Sequence, residues 1–199
     1  ANHIQKRIYR DYLADIARFA EPNEKLKAEM CYRSIPAQLM KENHKFQYGV
    51  VEKKVTSRKF ETSVDWLESA HLTITVRNVN FVEYPLESHV KLDNFRLYLS
   101  DIGLVISTFD FSLVQALLND RMDNSETNIV LKTAKGGLYE ALIADVLHKI
   151  GYKTLYFYRN DAGTAEIEFL LESEDGVIPV EVKTGRKKGK SLDNFLKKD

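Results

Sequence analysis

A chain of 199 residues with 44% apolar and 29% charged residues has the composition of an ordinary globular protein of one large or two small domains. Its 29 basic and 29 acidic residues cancel, which excludes attraction of nucleic acid through the overall charge. A single cysteine excludes an internal disulfide, and neither a membrane-length apolar run nor the apolar core of a secretory signal is seen, so we expect a cytoplasmic protein.

The first part of the chain has the periodicity of helices. Residues 4–19 place Ile8, Tyr12 and Ile16 at helical spacing. A second helix is expected to begin near residue 24 and to end before Pro36, with a short third helix over 37–43.

A fourth helix and two strands follow. Phe60, Val64 and Leu67 form one apolar stripe, which predicts an amphipathic helix. Apolar and polar residues then alternate over 72–77 and again around 95–99, as in half-buried strands.

Helices followed by a hairpin predict a winged helix-turn-helix over residues 24–100. Four basic residues precede or begin its recognition helix, where contacts to DNA are expected. They are Lys53, Lys54, Arg58 and Lys59. The alternative is that this unit packs against a partner protein, which zero net charge favours.

From residue 136 the pattern changes to one helix and three strands. Leu138, Leu142, Val146 and Ile150 lie on one face of the helix, which Gly151 is expected to end. The strand-like runs cover 153–159, 165–172 and 177–183, so this part predicts an α/β unit.

These patterns predict three segments. Residues 1–105 form a helical and winged-helix region, 106–135 a connector, and 136–199 an α/β domain. Because the chain begins with Ala and stops inside a helix-like stretch, we expect a fragment of a longer protein, with the last domain incomplete at its C-terminal end.

Charged residues recur on the last two strands at a spacing of two. Side chains two apart in a strand share a face, so Glu166 lies beside Glu168 and Glu181 beside Lys183. A hairpin with its turn at 173–176 is expected to bring both pairs to one end of the sheet.

This spacing is compatible with two interpretations. In the first, Glu140, Glu168 and Glu181 are ligands of Mg²⁺, which prefers carboxylate oxygens, and Lys183 is the catalytic residue beside a phosphodiester. In the second, Lys183 and a neighbouring glutamate form a structural ion pair. Spacing alone leaves both open.

The segments 136–140 (GGLYE), 166–170 (EIEFL) and 181–185 (EVKTG) resemble, in this order, the signature of the PD-(D/E)XK nuclease-like fold. Three further segments extend the resemblance to most of the chain. They are 35–39 (IPAQL), 64–70 (VDWLESA) and 96–104 (RLYLSDIGL). Together they resemble the C-terminal half of bacterial and archaeal AAA-type ATPases in which the nuclease-like unit follows a winged helix.

The resemblance implies a restriction-endonuclease-like α/β domain, magnesium as the cofactor of any cleavage, and an ATP site only in a separate AAA module, which would also be a partner. Glu168 stands where the superfamily usually has Asp, and Ile167 replaces the proline of the motif. The side chain of Glu is one methylene longer than that of Asp and would shift a bound metal, and such a shift can impair catalysis. The resemblance therefore implies the fold more than it implies cleavage.

The stretch 182–191 (VKTGRKKGKS) is similar to a phosphate-binding loop but has the wrong spacing. A Walker A motif has four residues between its first glycine and the Gly-Lys-Ser/Thr, whereas only three separate Gly185 from Gly189. We therefore expect no ATP site here. Arg186 and Lys187 either hold a nucleic-acid backbone or form a solvated surface.

The sequence thus predicts a regulatory module that binds DNA or a protein and works with an AAA-type ATPase. A Mg²⁺-dependent DNA endonuclease is the alternative.

Overall fold

The computed structural model describes residues 2–41, 44–54, 57–118, 126–160, 162–183 and 192. These ranges form a mixed α+β architecture of seven α-helices and one five-stranded sheet. In chain order the elements are α1 Asn2–Phe19, α2 Lys25–Leu39, α3 Tyr48–Val51, α4 Glu61–Ser69, β1 Thr73–Val79, β2 Val90–Leu99, α5 Ile102–Ser107, α6 Phe111–Leu118, α7 Glu126–Lys149, β3 Leu155–Arg159, β4 Glu166–Ser173 and β5 Gly176–Val180. Among these helices, none combines the length and apolar composition needed to cross a bilayer.

The sheet joins strands from both halves of the chain in the order β2-β1-β3-β4-β5. The pairs β1–β2, β3–β4 and β4–β5 are antiparallel, whereas β1 and β3 are parallel, with Val76 opposite Leu155. The predicted strands are therefore present, and so is the hairpin turn, where Ser173 pairs with Gly176. Strands before and after the predicted connector, residues 106–135, thus belong to one sheet.

The fourth predicted helix, α4, is confirmed together with its apolar stripe. Phe60, Val64 and Leu67 are at most 4% exposed and belong to the main hydrophobic core. The predicted alternation in β1 is less complete than expected, because Thr73 and Thr75 are buried as well as the apolar side chains between them. The strand is therefore covered on both faces.

The prediction that the second helix ends before Pro36 is wrong. Helix α2 continues through Pro36 to Leu39, although proline removes one backbone hydrogen bond from a helix interior. Ile35 and Leu39, on either side of it, are 1% and 2% exposed. Burial of these side chains in the core offsets the missing hydrogen bond, so the turn stays helical.

Most of the apolar stripe predicted on helix α7 is exposed, whereas its first member, Leu138, packs against the main core. Leu142, Val146 and Ile150 are 38%, 44% and 67% exposed, whereas Ala141 and Ala144 are completely or almost completely buried. Small residues allow the helix to approach the elements beneath it closely, and this proximity decides which face lies inward. The predicted helix end is confirmed, since Gly151 follows α7 with a φ of +116°.

Helix α7 approaches α2 closely at Gly137. A Cβ atom at this position would lie 2.1 Å from the carbonyl oxygen of Leu39 at the end of α2, so Gly137→Ala forces the two helices apart. We expect a loss of about 1–3 kcal/mol in the free energy of unfolding, measured by urea denaturation.

Gly136→Ala is the matched control, because the nearest atom to its added Cβ would be His44 Cε1 at 4.0 Å. In this variant we expect unchanged stability or a gain of up to about 1 kcal/mol, from the better helix propensity of alanine. Equal losses in both variants would contradict the close packing of α2 on α7.

Candidate functional site

A buried arginine crosses the sheet beneath α7. Arg96 lies in β2, and its side chain is 2% exposed. Its guanidinium carbon lies 4.3 Å from the centre of the Phe157 ring in β3. One terminal nitrogen, Nη1, donates to Glu140 Oε2 of α7 at 2.9 Å, and the other, Nη2, donates to Glu166 of β4. A single side chain therefore connects β2, β4 and α7.

The carboxylate of Glu140 is the centre of this network. Its Oε2 atom also accepts a hydrogen bond from the Tyr98 hydroxyl at 3.1 Å and lies 2.9 Å from His44 Nδ1. Burial alone would raise the pKa of Glu140, but the charge of Arg96 and the hydrogen bonds of His44 and Tyr98 outweigh it and hold the pKa below its ordinary value. Glu140 is thus a buried carboxylate held in its charged form.

The opposite effect is seen for Tyr98. Burial raises the pKa of Tyr98 well above its ordinary value, and the neighbouring charge of Glu140 raises it further. The hydroxyl therefore keeps its proton and remains a donor to Glu140. We name the five side chains Arg96, Glu140, Tyr98, His44 and Glu166 the arginine network.

A second group of charges lies where β4 begins and β5 ends. Lys183 Nζ lies 2.9 Å from Glu181 Oε1 and 3.4 Å from Glu168 Oε1. The backbone N–H of Val182 donates to Glu168 Oε2 at 3.2 Å. Glu168 therefore meets Glu181 and Lys183, although the last two lie just beyond β5, which ends at Val180, and Glu166 binds Arg96 instead. The structural ion pair that the sequence left open is formed.

The pKa of Glu168 is shifted in the direction opposite to that of Glu140. Burial raises the pKa of Glu168, and the attraction of Lys183 only partly opposes this effect. Repulsion from Glu140 adds to the increase, so the two carboxylates are close enough to interact. The pKa of Lys183 is raised, because Glu181 and Glu168 outweigh the effect of its burial.

An irregularity in β4 brings Glu168 into this position. Tyr158 pairs with Ile167 and Tyr156 with Leu170, so β4 uses three residues where β3 uses two. Ile167 and Leu170 consequently lie in the same apolar cluster, although strict alternation would place them on opposite faces. Glu168 lies in the part of β4 that contains the additional residue, beside the end of β5.

The described residues do not fit a magnesium ion. Glu140 Oε2 is occupied by protein donors, including the guanidinium of Arg96, and the ammonium of Lys183 contacts both Glu168 and Glu181. Within the described part of the chain, no group of three His, Cys, Asp or Glu side chains is placed to hold a metal. The carboxylates face protein cations instead of presenting a shared coordination site.

Sequence reasoning missed Arg96, Tyr98 and His44 as members of this site. A signal was available for the first, because an arginine within the apolar run 95–99 needs a buried partner if the strand is covered on both faces. No local pattern marks His44, whose partner Glu140 is 96 positions away in sequence.

The basic residues proposed for DNA lie between α3 and α4. Lys53 and Lys54 form an exposed turn after α3, and Arg58 and Lys59 belong to the short 3-10 helix before α4. Lys59 Nζ is paired with Glu52 at 2.6 Å. Arg186 and Lys187, like most of the stretch similar to a phosphate-binding loop, lie outside the described residues.

Cys31 is completely buried in the main core. Burial raises the pKa of its thiol to about 12, far from the range of a reactive thiolate. Its surroundings are those of a packing residue.

Two family models match the sequence. Residues 1–115 match "Domain of unknown function (DUF8612)", and residues 135–199 match "Domain of unknown function (DUF4143)". No curated protein and no solved structure matches the chain.

The arginine network predicts that replacing Arg96 destabilises the fold much more than replacing a surface arginine. Arg96→Met leaves Glu140 buried without its charged partner, and we expect a loss of about 3–5 kcal/mol in the free energy of unfolding, measured by urea denaturation. Arg77→Met is the control, since Arg77 pairs with Glu68 at the surface, where the side chains are 28% and 32% exposed. The control should lose no more than about 1 kcal/mol, and similar losses would contradict a dominant role for the buried network.

The opposite pKa shifts predict opposite dependences of stability on pH. The lowered pKa of Glu140 gives stability that is complete above the ordinary carboxyl pKa and is lost as the pH falls through the folded-state pKa. Glu140→Gln should therefore show a shallower loss in acid. The raised pKa of Glu168 gives stability that increases as the pH falls towards the ordinary carboxyl pKa, so Glu168→Gln should lack this increase.

Urea denaturation at a series of pH values from neutral to acid measures both effects. Asp175→Asn, which changes a carboxylate in the β4–β5 turn, is the control and should follow the unmodified chain. Parallel curves for all variants would show that neither buried carboxylate has a shifted pKa.

Proposed function

This chain belongs to the family described as a domain of unknown function, DUF8612, and we propose that it is a regulatory module that docks on an AAA-type ATPase. In this proposal a winged helix precedes a nuclease-like α/β unit that has a structural role. The observation that carries the proposal is the arginine network, in which Glu140 is bound by donors of the chain itself.

The link to an ATPase has two supports, which share the C-terminal part of the sequence. The ordered segments from 35–39 to 181–185 resemble the C-terminal half of AAA-type ATPases. In addition, residues 135–199 match DUF4143, a domain usually found in AAA-ATPase-associated proteins.

A structural role of the nuclease-like unit follows from what its carboxylates contact. A nuclease of this type needs carboxylate oxygens that are open to a metal and its waters. Here Glu140 holds Arg96, and Glu168 with Glu181 holds Lys183. These contacts connect strands and a helix, so the same residues serve the fold.

A protein partner is favoured over DNA by the outer face of α7. Tyr139, Leu142, Val146 and Ile150 recur at helical spacing and are 38–67% exposed. An apolar face of this kind is complementary to another protein surface, whereas a phosphate backbone requires cations. We assign the ATPase module as its occupant, because the ATPases that the chain resembles carry such a module ahead of the winged helix.

One observation favours a second function, a Mg²⁺-dependent DNA endonuclease. Lys183 contacts Glu168 and Glu181, and the charge of Glu140 raises the pKa of Glu168, which are features that this function would use. A rearrangement that separates Arg96 from Glu140 would be required before a metal could enter.

Calorimetric titration of three ligands into the chain separates these functions. The ligands are the accompanying AAA module, a linear DNA duplex and Mg²⁺, and we expect binding heat for the AAA module alone. Val146→Asp, at a position that is 44% exposed, places a charge in the apolar face and should weaken binding at least about tenfold. Lys153→Asp, at an exposed position before β3, is the control and should bind normally.

Two results would overturn the proposal. Nicking of a supercoiled plasmid with Mg²⁺ or Mn²⁺ that is lost in both Lys183→Ala and Glu181→Ala but kept in Lys153→Ala would establish the endonuclease. Binding of the duplex that is lost in Arg58→Glu, without binding of the AAA module, would establish a DNA-binding module.

A further inference from the structure

A groove of about 690 Å³ lies between α1, α2 and the end of α5. It shares no lining residue with the arginine network or with the exposed face of α7. An inference about this groove therefore does not depend on the proposed function.

The floor of the groove is apolar and held in place by the core. Leu13 and Phe109 are 8% and 6% exposed and belong to the main hydrophobic cluster, and Pro36 is buried in the last turn of α2. Side chains fixed in this way leave a cavity that exists before a ligand arrives. The volume of the groove lies in the range of ligand sites, and its lining is partly apolar and partly polar.

The rim of the groove is cationic. Lys6 and Arg10 of α1 and Arg33 of α2 are all exposed, and none of the lining residues is acidic. Arg33 Nε donates to Glu29 at 2.8 Å, on the side chain's own helix. Within the described ranges, no carboxylate forms an ion pair with Lys6 or Arg10, so the rim carries an uncompensated positive charge.

We propose that this groove binds an acidic peptide segment of a partner protein, with an apolar side chain on the floor and carboxylates at the rim. The combination of an apolar floor and a cationic rim determines which kind of ligand fits the groove. A free phosphate would use the cations but leave the floor empty, and a purely apolar peptide would leave the cations without partners. A nucleic acid is disfavoured, because its phosphate backbone, like a free phosphate, would use the cations of the rim but leave the apolar floor without a contact.

The test uses fluorescence anisotropy of short fluorescein-labelled peptides in which a phenylalanine, tryptophan or leucine is flanked by aspartates and glutamates in all orders. We expect saturable binding of acidic members of this set. Replacing the acidic residues by their amides, or the apolar residue by serine, should weaken binding about tenfold or more.

Arg10→Glu should weaken binding of the best peptide about tenfold, with Lys6→Glu acting in the same direction. Arg7→Glu is the matched control, because it makes the same change of charge at an exposed position of α1 that does not line the groove, and it should bind within about twofold of the unmodified chain. Far-UV circular dichroism confirms that each variant is folded.

Four results would overturn the inference. The first is that no acidic peptide binds, and the second is that Arg7→Glu weakens binding as much as Arg10→Glu. The third is that inorganic phosphate at moderate concentration displaces the best peptide completely, which would assign the rim to a small anion. The fourth is that a DNA duplex binds in its place and is lost in Arg10→Glu.

Discussion

The buried charge of Arg96 is the constraint on which the rest of this structure depends. A buried guanidinium is tolerated only when carboxylates and hydrogen-bond acceptors surround it, and its partners here come from α7 and β4. Glu140 in turn requires Tyr98 and His44. The network therefore joins side chains from His44 to Glu166. The buried charges have their partners only when the strands form one sheet.

The helix that supplies Glu140 is placed by its small residues. Gly137, Ala141 and Ala144 allow α7 to lie close to α2 and the sheet, which positions the carboxylate above Arg96. The same placement turns Leu142 and Val146 outward. The close packing of α7 thus accounts both for the buried charge network and for the apolar surface that we assign to a partner.

Carboxylates in a nuclease-like order do not by themselves define a nuclease. The chemistry of Glu140, Glu168 and Glu181 depends on what lies beside them, and in this protein those neighbours are a guanidinium and an ammonium group. Each of these two cations bridges two carboxylates inside the fold. The α7 face and the cationic groove lie on the surface and differ in chemistry, and we propose them as the sites of interaction.

The sequence by itself determined the elements whose patterns are local. The stripe of α4, the strands and the β4–β5 turn followed from apolar periodicity and turn residues, and so did the meeting of Glu168, Glu181 and Lys183. Tertiary structure alone decided that α2 continues through Pro36, which face of α7 is buried, and that Arg96 holds Glu140. Periodicity reports which residues are apolar but not what lies against them, and contacts between residues far apart in sequence leave no local pattern.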